Sequence, residues 1–280
     1  MESNLVEHFW QADEYHHNSS AQQNAAHNLL AHIDLKGNEH LLDIGCGDGK
    51  ITASIANKLK HGTVLGIDLS PEMIAFAKNT FPKNHHTNLS FMIQDAQQIK
   101  YSKKFDVVFS SFAIQWIKDK NSFFTKVVES LKSGGQLALT IPLDISLILE
   151  KAIQSVISQK QWTSYLKSFP KNWYFPDPDN LRKQLQSCRL KIDCFDNVTQ
   201  EVIFLSRESF ERYVFQWLPY LRALPDNLKQ IFFNQIIDKH FEMVPLPQSG
   251  KVHYRFSRVD IVARLLPNSR ISNQRDDCTK

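Results

Sequence analysis

Three glycines within five residues, directly after a short apolar run, constrain the fold of this chain more than any other feature. Residues 41–49 have the sequence LLDIGCGDG, and a helical pattern of apolar residues begins at Lys50. A strand, a glycine turn and a helix open an α/β sheet, whose ligands bind beyond the carboxyl ends of the strands. Glycine lets the backbone approach a ligand closely because it has no Cβ. The turn therefore predicts a nucleotide-like ligand at the end of the first strand.

The spacing of the glycines separates three kinds of ligand. A loop for ATP or GTP needs G-x-x-x-x-G-K-[ST]. If Gly49 and Lys50 are aligned with the G-K of that motif, Ile44 replaces its first glycine and Ile51 replaces its Ser or Thr. A loop for NAD needs G-x-G-x-x-G, and here Gly45 and Gly47 are followed by Gly49 one residue too early. A loop that passes the methionine end of S-adenosylmethionine, which carries no phosphate, remains.

Four more apolar runs continue the α/β pattern. Residues 63–67 predict a second strand that ends on Asp68, and Ser70 and Pro71 are an N-cap and a first helical residue. An acidic residue about 20 positions after the glycine turn accepts hydrogen bonds from both ribose hydroxyls. Further strands are predicted at residues 88–93, 105–109 and 136–141. Short connections between them predict a mainly parallel sheet covered on both faces.

These motifs resemble those of class I S-adenosylmethionine-dependent methyltransferases, whose first motif, D-x-G-x-G, is matched by Asp43, Gly45 and Gly47. The resemblance implies an α/β, Rossmann-like fold: a seven-stranded, mainly parallel sheet with an antiparallel last strand, helices on both faces, and a helical cap inserted before the last strand. It also implies the cofactor S-adenosyl-L-methionine, with S-adenosyl-L-homocysteine as product. The expected cofactor-binding residues are Tyr15, Asp43, Gly45, Cys46, Gly47, Asp68, Leu69, Asp95, Ala96 and Ser110.

The pair Gln115-Trp116 after the fourth strand narrows the resemblance. It is typical of the branch of trans-aconitate, malonyl-acyl-carrier and juvenile-hormone-acid methyltransferases, which methylate a free carboxylate. The branch places this Trp near the methyl-transfer centre, where its N–H, a donor only, can bind one carboxylate oxygen while the other attacks in line. A carboxylate is already ionised at pH 7 and needs no general base. A core aromatic beneath the adenine is the alternative for Trp116.

The N-terminal segment of this family folds over the cofactor pocket and contributes a Tyr and a Gln. Tyr15, Gln22 and Gln23 match that description, and we expect Gln22 to act with Trp116 at the catalytic centre. The alternative is that Tyr15 and Trp10 only pack on the edge of the sheet.

The C-terminal half is expected to form the substrate cap. Residues 245–250 and 256–264 resemble the end of trans-aconitate methyltransferase. Arg222 or Arg255 is expected to hold a second carboxylate, unless each is only a surface residue. The predicted substrate residues are Gln115, Trp217, Tyr220 and Arg222, with Phe215 as a further aromatic candidate. The expected organisation is a lid segment at 1–35, a cofactor-binding core at 36–145, the rest of the sheet with the cap at 146–266, and a frayed tail at 267–280.

Composition excludes several other classes. The net charge of +4 is too small, and too evenly distributed, to indicate a nucleic-acid partner. No apolar run approaches the ~20 residues of a membrane span, and the four cysteines lack metal-binding spacing. We expect a cytoplasmic protein without a metal, acting on a small carboxylic acid.

Three other functions stay open. Methylation of carbon, nitrogen or a hydroxyl would require a base, for which His16 or His17 is the candidate. A non-catalytic S-adenosylmethionine-binding protein and an NAD-dependent oxidoreductase are the others, although the glycine spacing disfavours the last.

Overall fold

One sheet of seven strands runs through the computed structural model, which describes residues 20–169 and 173–267. The strands are β1 (His40–Ile44), β2 (Thr63–Asp68), β3 (Leu89–Ile93), β4 (Phe105–Ser111), β5 (Leu131–Pro142), β6 (Leu190–Phe204) and β7 (Val252–Leu265). Their spatial order is β3-β2-β1-β4-β5-β7-β6. Strands β1 to β5 pair in parallel, and β7 is antiparallel to both β5 and β6. The predicted Rossmann-like fold class, including the antiparallel last strand, is confirmed.

The described part of the chain has nine α-helices, of which the first precedes β1 and the others lie between strands. They are α1 (Ser20–Ala31), α2 (Lys50–Lys58), α3 (Pro71–Thr80), α4 (Lys120–Ser130), α5 (Leu147–Ile157), α6 (Lys160–Leu166), α7 (Pro178–Ser187), α8 (Arg207–Trp217) and α9 (Asp226–Met243). Short 3₁₀ helices span Ala96–Gln98, Ile114–Trp116 and Pro219–Ala223. None of these helices is long and apolar enough to cross a membrane.

Local sequence signals explain where several helices begin. The Ser70 hydroxyl accepts a hydrogen bond from the Met73 N–H at 3.2 Å, and Pro71 occupies the first turn of α3. Ser206 caps α8 through a reciprocal pair of bonds with Ser209. After β5 the chain forms two helices rather than one, because α5 ends at Ile157 and α6 begins at Lys160.

Three apolar clusters divide the interior. Helices α1, α2 and α3 pack on one face of the sheet, and α4 and α7 pack on the other. The third cluster joins α5, α6, α8 and α9 to the first half of β7, through Val252, Tyr254 and Phe256. We call this third group the cap. Two of its helices, α5 and α6, precede β6 in the chain, and the other two, α8 and α9, follow it. Phe112 and Trp116, which follow the carboxyl end of β4, pack against the cap.

Candidate functional site

The glycine turn has the left-handed backbone that its composition predicts. Gly45 has φ 75° and Gly49 has φ 79°. The backbone N–H groups of Gly45 and Cys46 both donate to the carbonyl of Ile67, at 2.8 and 3.0 Å, and so join the end of β1 to β2. A Cβ on Gly45 would lie 2.2 Å from the Cβ of Ala113. Packing against the segment after β4 therefore requires glycine here, besides the ligand approach inferred from sequence.

Asp68 is held firmly at the end of β2. Its Oδ2 accepts from the N–H of Gly47 and its Oδ1 from the N–H of Ser70, both at 2.9 Å. Burial nevertheless raises the pKa of Asp68 above 3.8. Each carboxylate oxygen keeps acceptor capacity, so Asp68 can still receive two hydroxyl groups of a ribose.

Two apolar side chains lie beside Asp68 and are open to solvent. Leu69 is 46% exposed and Ile93 is 52% exposed, and Ile93 is in register with Asp68. Such surfaces suit the face of an adenine ring. Sequence reasoning selected Leu69 but missed Ile93, whose available signal was its place as the last residue of the predicted third strand.

Asp95 follows β3 at the same edge. Its Oδ1 accepts from the N–H of Gln97 at 2.8 Å and its Oδ2 from the Nε2 of Gln98 at 3.0 Å, so it caps the 3₁₀ helix that begins at Ala96. The N–H of Gln94 donates to the carbonyl of Asp68 at 2.9 Å. The structure thus brings Asp95 and Ala96 next to the ribose candidate, as expected for the adenine end.

Three other residues that the sequence predicts to bind the cofactor are buried beside the glycine turn. Asp43 is only 2% exposed and accepts a 2.7 Å bond from the Thr52 hydroxyl of α2. Burial raises its pKa from 3.8 to about 7. The Ser110 hydroxyl donates to the carbonyl of Ile44 at 2.8 Å, and Cys46 is buried, which raises the pKa of its thiol. Direct contact of these residues with a cofactor stays a prediction.

The charges at the turn suit S-adenosylmethionine better than a dinucleotide. Asp43 lies close enough to Asp48 and Asp68 for both to raise its pKa. A group of carboxylates attracts a sulfonium and an ammonium group and repels a pyrophosphate. Asp68 and Asp95, with the apolar surface of Leu69, would hold the nucleoside.

The predicted substrate residues converge on a tryptophan that the sequence did not single out. The ring centroid of Trp173 lies 6.4 Å from that of Trp116, 5.5 Å from that of Trp217 and 6.0 Å from that of Tyr220. The guanidinium of Arg222 lies over the Trp116 ring at 5.5 Å. We call these five residues the aromatic cluster. Trp173 stands in a loop, outside any helical or strand pattern, so no periodicity pointed to it.

Arg222 is therefore a partly buried cation on an aromatic wall. Desolvation lowers the pKa of Arg222 from its usual value to about 10, so it remains charged at pH 7. The Nε1 of Trp217 is buried and has no hydrogen-bond partner among the described residues. Trp173 also lines a groove of about 510 Å³ that opens between the first turns of α4 and α7.

Several other candidates have different positions. The Gln115 Nε2 donates to the carbonyl of Phe112 at 2.7 Å, which stabilises the turn before Trp116. Arg255 has a side chain that is 70% exposed and pairs with Glu201 at 3.0 Å, away from the aromatic cluster. Phe215 packs against Phe233 at 5.0 Å, as a core residue of the cap. Trp10, Tyr15, His16 and His17 lie outside the described residues, whereas Gln23 lies on α1.

Gln22 lies buried on α1, and its Oε1 has no partner among the described residues. Elsewhere, the fold brings possible ligand atoms of His32, Cys194 and Asp196 within 4.8 Å of one another. Cysteine spacing alone could not have revealed that group, since His32 follows α1 and the other two residues lie on β6.

Comparison with known proteins agrees with this geometry. The family model described as "Methyltransferase domain" matches residues 35–174, half of the 280 residues. The chain is 26% identical over 239 residues to "Putative methyltransferase 235L" of Invertebrate iridescent virus 6, covering 84% of this chain and 86% of that protein. It is 25% identical over 269 residues to a trans-aconitate 2-methyltransferase of Shigella flexneri, covering 91% of this chain and 98% of that protein.

Among solved structures, the YcgJ protein of Bacillus subtilis has a TM-score of 0.61 at 13% identity, with 87% of this chain and 99% of that chain covered. This likeness concerns the fold. The family match, together with the turn and the acidic strand ends, has a direct consequence: the chain belongs to the methyltransferase-domain family, as an S-adenosylmethionine-dependent methyltransferase of small molecules.

Proposed function

We propose that this enzyme methylates a free carboxylate of its small-molecule acceptor. The observation that carries the proposal is the position of the Arg222 guanidinium, 5.5 Å over the ring of Trp116, whose 3₁₀ helix follows β4. An indole N–H and a guanidinium are donors only, and together they match the acceptor oxygens of a carboxylate. Tight aromatic packing around Trp173 excludes water from the same place.

The chemistry places few demands on the protein. When bound, S-adenosylmethionine supplies a methyl group whose C–S bond electrons return to sulfur as a carboxylate lone pair forms the new O–CH₃ bond. No proton is released, so no residue has to act as a base. The residues of the chain provide orientation: Trp116 and Arg222 fix the carboxylate, and Asp68 fixes the nucleoside. Alignment of this kind is a large share of catalysis in group transfer.

The identity of the acid is suggested by a relative. The Shigella flexneri protein that is 25% identical to this chain is named trans-aconitate 2-methyltransferase. Trans-aconitate is therefore the first acceptor to test, followed by 2-hexenoate and benzoate as monocarboxylates with an apolar body.

Trp116→Phe tests the proposal. It removes the indole N–H and keeps an aromatic ring, so we expect kcat for the acid to fall about 10-fold or more, while the Kd of S-adenosylhomocysteine stays within about 2-fold. Mass spectrometry of the methyl ester and calorimetric titration measure the two quantities. Trp162→Phe is the matched control, because it removes an indole N–H that bonds to Gln235 at 2.8 Å within the cap. It should leave kcat unchanged.

Two results would contradict the proposal. If Trp116→Phe abolishes binding of S-adenosylhomocysteine, Trp116 serves the adenine pocket instead. If wild-type enzyme produces S-adenosylhomocysteine only with amines or alcohols, or its rate rises steeply with pH above pH 6, the acceptor is a group that needs a base.

A further inference from the structure

A row of buried polar side chains crosses the carboxyl edge of the sheet beside the cap. Ser111 of β4 is in register with Thr140 of β5, and Thr140 is in register with Asp260 of β7. Asp260 pairs with Arg258 on the same strand, and each is only 3% exposed. Central strands that are covered on both faces normally carry continuous apolar runs. A buried polar row lowers the free energy of unfolding unless its groups are hydrogen-bonded.

The guanidinium of Arg258 is hydrogen-bonded through Nη1, whereas its Nε has no hydrogen-bond partner among the described residues. Its Nη1 donates to both carboxylate oxygens of Asp260, at 3.0 and 2.9 Å. Asp260 is itself held by the Thr140 hydroxyl at 2.7 Å. The Nε of Arg258 is buried without a hydrogen-bond partner among the described residues. The Nε–Nη2 edge of a guanidinium is one that binds a carboxylate with two parallel hydrogen bonds.

Arg258 lies on β7, the strand against which the cap packs, and away from the strands β1 and β2 that carry the glycine turn and Asp68. In the order β1-β4-β5-β7, its strand is three strands from the glycine turn, which is about 14 Å at ~4.8 Å per strand. On the same face of β7, Val262 packs in the core cluster with α1, and Phe256 packs in the cap. Arg258 and Asp260 lie between these two, where cap and core meet.

Other unsatisfied polar atoms occur at this seam. The Gln200 Nε2 donates to the carbonyl of Ala21 at 3.2 Å and so joins β6 to the start of α1. The Oε1 of Gln200, the Oε1 of Gln22 and the Oγ of Ser111 are buried without partners among the described residues. Buried polar atoms are almost always satisfied in a working protein. Their concentration beside Arg258 indicates that a polar group enters this seam.

We propose that Arg258 is the specificity-determining residue of the acceptor site and binds a carboxylate of the substrate through its Nε–Nη2 edge. Asp260 and Thr140 are its positioning residues, and Ser111 adds a hydroxyl donor. This inference rests on the proposed carboxylate methylation. Trp116 and Arg222 hold the carboxylate that is methylated, and Arg258 binds a second carboxylate of the same substrate.

Titration of S-adenosylhomocysteine-loaded enzyme with trans-aconitate, 2-hexenoate and benzoate tests the site without turnover. Arg258→Lys keeps the charge beside Asp260 but loses the fork, so we expect binding of the tricarboxylate trans-aconitate to weaken about 10- to 100-fold. The two monocarboxylates have no second carboxylate for Arg258, so their binding should stay as in wild type. Arg255→Lys is the matched control on the same strand, and it should bind the acids as wild type does. Neither change should alter the Kd of S-adenosylhomocysteine.

Ser111→Ala provides a second variant in case Arg258→Lys fails to fold. It deletes a hydroxyl that has no partner among the described residues, so stability should not change, while binding of trans-aconitate should weaken about 3- to 10-fold. Unaltered trans-aconitate binding in Arg258→Lys, or in Ser111→Ala where the lysine variant is unfolded, overturns the inference. Equal weakening by Arg255→Lys also overturns it.

Assaying methyl ester formation in the same samples separates the two proposals. If wild type forms an ester and the Arg258 and Ser111 variants are unaffected, only the role of Arg258 is wrong. If wild type binds an acid through Arg258 but forms no ester, carboxylate methylation is wrong and the binding site stands. If wild type binds none of the three acids, both are overturned.

Discussion

Gly45→Ala is the substitution whose effect the structure determines most directly. The new Cβ would lie 2.2 Å from the Cβ of Ala113, whereas carbon atoms pack at about 3.5–4.0 Å. Ala113 would have to retreat by roughly 1.3 Å. It directly precedes the 3₁₀ helix Ile114–Trp116, so Trp116 would move with it.

Two costs add up in this variant. Alanine at a left-handed φ costs about 1–2 kcal/mol, and overpacking adds about 1–3 kcal/mol, for a total of roughly 2–5 kcal/mol in unfolding free energy. Gly134→Ala is the matched control, because Gly134 has φ 78° and a Cβ there would meet nothing within 4 Å. It should pay only the backbone cost.

Urea unfolding and titration with S-adenosylhomocysteine measure the difference. We expect Gly45→Ala to be less stable than Gly134→Ala by about 1–3 kcal/mol, with weaker cofactor-product binding. Adding Ala113→Gly should recover most of that difference, because it removes the opposing methyl group. Equal stabilities for the two alanine variants, with unchanged binding, would refute the close approach of Ala113 to the turn.

Two further predictions concern the acidic residues of the turn. The pKa of Asp43 in the folded protein is about 7, above its usual 3.8. The stability that this carboxyl contributes is therefore complete below about pH 4 and is lost as the pH rises towards 7. The free energy of unfolding of Asp43→Asn, relative to that of wild type, should thus be higher at pH 8 than at pH 5 by a few kcal/mol, at about 1.4 kcal/mol per pKa unit. Parallel urea curves with no pH dependence in the difference would count against this. Asp68→Asn should weaken S-adenosylhomocysteine binding about 10- to 100-fold by calorimetry, and an unchanged Kd would show that Asp68 only caps the turn through Gly47 and Ser70.

The positions of the candidate cofactor residues at one edge of the sheet could be predicted from sequence because these residues are local. Each belongs to a strand end or to the turn that follows it, so a few contiguous positions specify both the element and the side chain at its tip. Parallel pairing then brings those tips to one edge. Asp68 and Asp95 follow this rule, and so do Leu69 and Ala96. Ile93 escaped notice because an apolar strand end carries no chemical signal.

The aromatic cluster and the polar row beside the cap could be found only in the tertiary structure. Trp173 becomes the centre of the aromatic cluster because two distant segments, one with Trp116 and one with Trp217 and Tyr220, fold against it, and no periodic pattern surrounds it in the chain. Thr140 and Asp260 are hydrogen-bonded across 120 positions of sequence. Contacts between distant segments depend on sheet order and register, which local patterns do not encode.

The arginines of β7 show the limit most clearly. Sequence reasoning chose Arg255 as a candidate cation and left Arg258 aside, although both lie on β7. Successive side chains of a strand point to opposite faces, so residues three apart cannot share one. Pairing of β7 with β5 and β6 turned Arg258 inward to Asp260 and left Arg255 outside with Glu201. The sequence by itself determined that two arginines stand three residues apart, and burial of one face of β7 by the cap and α1 decided which of them lies inside.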